Sequence, residues 1–296
     1  MTADVSNDVS ASGDPGFRAV AEWVRELDVT AWGHDRFVGA PSREEGRLFG
    51  GLVIAQAAIA GGRTVETDRS LHSLHAYFLR PGRPKVPVEY HVERVRDGRT
   101  FTARRVLALQ AGEAICDTTV SLARPEEGVS HQDAMPQVDP PEKARDAAEF
   151  WREQHQGEDH DHEHRWPFEV RFITPPDIAA GPGEPQQAYE WVRIRSRLPD
   201  DPVIQSAGLI YWSDMGSFAG IERRYGWEGM VPHASASLDH AIWIHRPVSW
   251  DDWMLVVTDT PVAHSARALT WRQFYRRDGT HIATMAQEAV FRRRNP

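Results

Sequence analysis

"GRLFGGLVIAQAAIAGGRTV", residues 46–65, decides how this chain is read. Between Gly50–Gly51 and Gly61–Gly62 it holds only small and apolar residues and one amide, Gln56, with no charge. A helix at a protein surface carries a polar stripe, so a run that is apolar all round belongs to a buried helix. The glycine pairs mark its start and its stop. At about 20 residues needed to cross a bilayer, the run is too short to be a membrane span.

Working outward, four strand-like runs follow: "SLHSLHAYFL", "VPVEYHVERVRDG", "TFTARRVLALQAG" and "EAICDTTVSLAR". "RDG" and "QAG" are turn signals of antiparallel hairpins. The same order then returns. "DDPVIQSAGLIYWSDMGSF", residues 200–218, is a second buried helix, and "SASLDHAIWIHRP", "WMLVVTDTPVAHS", "SARALTWRQFYRRDG" and "THIATMAQEAVFR" are strands. "HAYFLRP" lies over "IWIHRP" with Arg80–Pro81 answering Arg246–Pro247, and Gly112 answers Gly279. The nearly constant offset predicts a duplicated unit, each copy a helix with an antiparallel sheet. The expected division is a disordered tail over 1–16, a first repeat over 17–124, a linker over 125–185 with a His-rich loop, and a second repeat over 186–296.

Composition bounds the function. The 296 residues are 41% hydrophobic and 9% aromatic, enough for a substantial core. A formal net charge of −9 argues against a general nucleic-acid binder. The single cysteine, Cys116, excludes an internal disulfide and a multi-cysteine zinc site. The N-terminus, "MTADVSNDVSASGDPG", lacks the basic start and apolar core of a signal peptide, so a cytoplasmic protein with no membrane partner is expected.

Six strings in order, "LFGGLVIAQA", "HSLHAYFLRPG", "RDGRTFTARRVLALQ", "YWSDMGSF", "ASLDHAIWIHRP" and "ATMAQEAV", resemble the type II acyl-CoA thioesterases. The resemblance spans roughly residues 17–124 and 166–293. It implies an α+β double hotdog, in which two helix-wrapped-by-sheet repeats fuse into one continuous sheet. It also implies hydrolysis of acyl-CoA, with fatty acyl-CoA the expected substrate, to a free acid and coenzyme A. The family's water-holding Asp, hydroxyl residue and Gln fall on Asp214, Ser237 and Gln287. The chain departs from the family pattern at Ser237, where threonine is usual, and at Leu52, where glutamine is usual. No metal or redox cofactor is implied, and a homo-oligomer is expected.

Asp214 stands in an apolar, small-residue run, where an ionised carboxylate is costly. Such surroundings favour proton uptake, which suits a general base acting on water. The structural alternative is a helix cap or an arginine pair. Gly50 and Gly51 could bring a backbone N–H to a developing oxyanion, or simply permit close packing. Ser237, Asp239 and His240 do not make a serine-hydrolase triad, because neighbours on a strand face opposite ways and no G-x-S-x-G occurs. His155, His160, His162 and His164 alternate with acids and read as a solvated loop, not a metal site. Arg80, Arg104, Arg105 and Arg267 fit either coenzyme A phosphates or an exposed strand face. Two rival functions are a hotdog enoyl-CoA hydratase and a non-catalytic acyl-CoA-binding protein. The hydratase pattern wants a His five residues after the Asp, where this chain has Ala219.

Overall fold

The computed structural model describes residues 15–42, 46–154, 166–175, 180, 184, 186–226 and 235–292. The His-rich tract and residues 1–14 of the expected tail lie outside these residues, while Pro15 and Gly16, expected in the tail, begin the first helix.

The first repeat contains α1 (Pro15–Leu27), β1 (Val29–Gly33), β2 (Arg36–Gly39), α2 (Gly50–Gly62), β3 (Ser70–Phe78), β4 (Val88–Asp97), β5 (Phe101–Gln110) and β6 (Glu113–Ala123). Then come β7 (Arg145–Asp146), α3 (Ala147–Gln154), β8 (Phe168–Phe172), β9 (Ala188–Ile194), α4 (Pro202–Asp214) and α5 (Ala219–Tyr225). The chain closes with β10 (Ala236–Ser237), β11 (Asp239–Ile244), β12 (Met254–His264), β13 (Arg267–Arg276) and β14 (His281–Val290). β7, α3 and β8 fall inside residues 125–185, so that segment does more than connect: β8 pairs with β9 and extends the second repeat's sheet.

The strands form one sheet in the order β1-β2-β4-β5-β6-β3-β11-β14-β13-β12-β9-β8-β7, with β10 beside β14. The repeats join where β3 and β11 pair antiparallel, Asp239 opposite Tyr77 and Trp243 opposite Ser73. Exchanging the repeats turns one of these pairs into the other, so the junction is a local twofold. β5 and β6 meet in a tight hairpin with Ala111 at φ 51° and Gly112 at φ 81°, the two left-handed residues that match strand twist.

α2 and α4 lie in the concavity of this sheet, with nearly every residue buried. Their lack of a polar stripe follows from this burial, and each large aliphatic placed there stabilises the fold by about 1.5–3 kcal/mol. They run antiparallel. A Cβ on Gly50, at the start of α2, would stand 3.0 Å from the Asp214 carboxylate at the end of α4. A Cβ on Gly62, at the end of α2, would stand 3.0 Å from Val203 at the start of α4. This crossing brings the C-terminus of one repeat's helix to the N-terminus of the other's, and so sets the site.

Candidate active site

Asp214 is the last residue of α4 and is 8% exposed. Among the described residues no hydrogen bond or ion pair reaches its carboxylate. The C-terminal end of a helix carries negative partial charge. A buried arginine on β13 answers the dipole. Arg272, fully buried, donates from Nη1 to the carbonyls of Trp212 (3.2 Å), Ser213 (3.1 Å) and Met215. Its Nε donates to Thr258 Oγ1 at 3.0 Å and its Nη2 to Glu190 at 2.7 Å. The carbonyls on both sides of Asp214 are thereby held. Burial pushes the Arg272 guanidinium down from its ordinary value, while the charges of Glu190 and Asp214 oppose that shift. Burial pushes Glu190 up, against the pull of Arg272.

Gln287 on β14 is 1% exposed. Its Nε2 donates to Ser237 Oγ at 2.6 Å and to Ser217 Oγ at 3.3 Å, and its Oε1 faces His240 Nδ1 at 2.5 Å. An amide oxygen only accepts, so in this orientation of the amide the imidazole carries its proton on Nδ1. Nε2 then accepts from Ser213 Oγ, 2.9 Å away. Burial pushes His240 down from its ordinary value, opposed by the Asp214 charge and the Gln287 hydrogen bond, so the ring is neutral near pH 7. Because Ser237 Oγ accepts from Gln287, its own hydrogen remains to donate elsewhere.

The two glycines separate in role. Gly50 faces Asp214 and the ring of Phe78, and a Cβ there would sit 3.0 Å from each. Gly51 is packed under Phe49 and the Tyr211 carbonyl, at 2.5 and 2.7 Å from where its Cβ would be. Phe49, which precedes α2, supplies no capping hydrogen bond to the first N–H groups of that helix. The rings of Phe49 and Tyr211 meet edge to face at 4.9 Å and bound this end of the site with apolar surface.

The structure therefore brings Gly50 beside Asp214 and joins Ser237 to Gln287. It also brings in Ser213, Ser217, Arg272 and His240, which sequence reasoning missed. His240 had been weighed only as a triad partner. Asp239 does point away, accepting from the Glu288 N–H at 2.7 Å, while His240 turns inward beneath Gln287. The alternation His240, Ile242, Ile244 facing the core was the available signal. Of the arginines considered for phosphate, Arg104 is buried and spent on Thr64 and Asp97, because alternation on β5 turns it inward and Arg105 outward. Arg105 and Arg267 pair with Asp117 and Glu288 on the surface. Leu52, where the resemblance expected glutamine, is a core residue.

Comparison with known proteins shows the family. Residues 40–123 match the family model of the acyl-CoA thioesterase N-terminal domain, and residues 157–290 that of acyl-CoA thioesterase. The chain is 35% identical over 267 residues to mouse (Mus musculus) acyl-coenzyme A thioesterase 8, covering 83% of this chain and 80% of that one. It is 35% identical to Haemophilus influenzae acyl-CoA thioesterase 2, with 83% and 88% covered. Among solved structures, an acyl-CoA thioesterase II from Mycobacterium marinum superposes with a TM-score of 0.75 at 34% identity, covering 91% of this chain and 97% of that one. With two family models tiling both repeats and relatives aligned along most of their length, the chain belongs to the acyl-CoA thioesterase family.

Proposed function

We propose that this chain carries out its acyl-CoA hydrolysis with a water held by Asp214, Ser237 and Gln287. The observation that supports it most is the Asp214 carboxylate, buried and unpaired among the described residues at the end of α4, with Ser217, three residues on, sharing Gln287 with Ser237. Asp214 takes a proton from the water and the water oxygen attacks the thioester carbonyl. The C–S bond then breaks, and the proton passes to the sulfur of departing coenzyme A. Ser237, with its hydrogen free, donates to the attacking water, and Gln287 fixes the hydroxyl that does so. The unpartnered N–H groups at the start of α2, beginning at Gly50, stabilise the developing oxyanion.

His240 acts through Gln287: its Nδ1–H decides which end of the amide faces Ser237. The reading extends to fatty acyl chains, since Phe49, Phe78 and Tyr211 bound the site with apolar surface. It also extends to a cytoplasmic homo-oligomer that needs neither metal nor redox cofactor. Tyr77 and Trp271, 65% and 41% exposed on the outer sheet face, offer surface that a second copy would cover. The test is steady release of coenzyme A from a series of acyl-CoA substrates, followed with a thiol reagent, for the native chain and for Asp214→Asn. A fall in kcat of about 10²- to 10⁴-fold with the melting temperature kept is expected. Full turnover by Asp214→Asn would reject the assignment.

A further inference from the structure

The local twofold that relates the repeats implies a second place built like the catalytic one, at the opposite ends of the two central helices. α2 and α4 are each thirteen residues long, so Gly62 occupies the position that Asp214 holds. Strand register gives the rest. His75 opposite Ala241 places Leu74 where His240 stands and Leu71 where Ser237 stands. Val120, opposite Leu74, takes the place of Gln287. Each of the four side chains assigned above to the chemistry is thus replaced by glycine or an aliphatic side chain, and α4 begins at Pro202, which has no N–H to offer an oxyanion. The second place therefore lacks the catalytic arrangement.

A cavity of about 460 Å³ lies beside this place, lined by Leu71, the first residues of α4 and the turn after β11. The charged turn has been kept. Arg80, after β3, donates from Nη1 to the Ala114 carbonyl at 2.8 Å at the start of β6. Arg246, after β11, donates from Nη1 to the His281 carbonyl at 2.6 Å at the start of β14. The two arginines make the same contact in the two repeats, and Arg246 lines the cavity. Arg197 lines it too, exposed and with no hydrogen bond or ion pair among the described residues. The third lining arginine, Arg124, is spent on Glu66 and Asp68. Asp200 and Asp251 share the rim, so the cavity matches a ligand bearing both anionic groups and N–H donors rather than a bare anion.

We propose that this cavity is a non-hydrolytic binding site for coenzyme A and its thioesters. The inference rests on the acyl-CoA reading of the catalytic site and adds a second, silent site per chain. The phosphates meet Arg197 and Arg246, and the amide and adenine N–H groups meet the two carboxylates.

The test is calorimetric titration of the full chain with free coenzyme A and with a non-hydrolysable acyl-CoA thioether. Two molecules bound per chain are expected. Arg197→Glu together with Arg246→Glu should reduce this to one and leave kcat within about twofold. Arg197→Glu alone disturbs no native contact and should weaken one of the two sites at least tenfold. Added coenzyme A should slow hydrogen exchange over residues 70–72 and 244–249 in the native chain and not in the double variant. One molecule per chain in the native protein, or two in the double variant, would overturn the proposal. Failure of the catalytic reading looks different: Asp214→Asn would keep its turnover whatever the binding count.

Discussion

Replacing His240 with leucine, the residue at the same place in the first repeat, isolates what the imidazole contributes. Two hydrogen bonds disappear, to Gln287 Oε1 (2.5 Å) and to Ser213 Oγ (2.9 Å). The one hydroxyl hydrogen of Ser213, given to the imidazole in the native chain, turns to the Ile210 carbonyl 2.7 Å away, so only Gln287 Oε1 is left buried without a donor. That costs about 1–3 kcal/mol of stability, and leucine fills much of the vacated volume, so the variant should fold. The Gln287 amide then loses the partner that fixes its orientation, and Ser237 no longer reliably keeps its hydrogen free. We expect kcat to fall about 10- to 100-fold, equivalent to roughly 1.4–2.7 kcal/mol of transition-state stabilisation, with KM little changed. His240→Asn retains an N–H near the position of Nδ1 and should recover most of kcat. Coenzyme A release and thermal melting on the three proteins provide the comparison. Unchanged kcat in His240→Leu, or His240→Asn no better than His240→Leu at equal folded fraction, would refute the positioning role.

The two glycines of α2 should respond differently. Gly50→Ala puts a methyl 3.0 Å from the Asp214 carboxylate, so it should cut kcat at least tenfold with little loss of stability, whereas Gly51→Ala drives a methyl against the Tyr211 carbonyl and should lower the melting temperature by several degrees. Melting curves and kcat measured on both variants check the split. Arg272→Met leaves Glu190 without its guanidinium and should destabilise the fold by about 3–5 kcal/mol, part of which Glu190→Gln in the same chain restores. Urea denaturation of the single and double variants measures it. Burial pushes His72, His240, His245 and His281 down from the ordinary value of 6.5, so their unfolded forms take up protons first. The stability they contribute is full above about pH 6.5 and drains away as the pH falls toward their native values. Unfolding free energy should therefore drop between pH 7.5 and 5.5, less steeply in His240→Asn, and a flat profile would contradict the direction of these shifts.

The two central helices were legible because, Asp214 apart, they carry no charge. The twofold was legible because the Arg-Pro turns and hairpin glycines repeat at nearly one offset. Asp214 was legible as an acid where no acid belongs. His240 and Arg272 were not, because their roles depend on cross-strand and helix-end neighbours far away in sequence: Gln287 is 47 residues from His240, and Trp212 is 60 from Arg272. Arg104 was misjudged for a related reason. Two adjacent arginines look alike in sequence, and only the pleat sends one to solvent and the other under α2, onto Thr64. β8 escaped notice because it is five residues long and lies in a proline-rich stretch.

Direct delivery of water by Asp214 is the central claim, and a single-turnover reaction in H₂¹⁸O tests it most closely. With enzyme in excess over acyl-CoA, a general base passes solvent oxygen straight to the acyl carbon. The account predicts one ¹⁸O in every molecule of acid released in that first turnover, and none in the Asp214 carboxylate. An acid released without label, alongside ¹⁸O in Asp214, would mean that the carboxylate itself attacked the thioester and was later freed by water, and the account would be wrong.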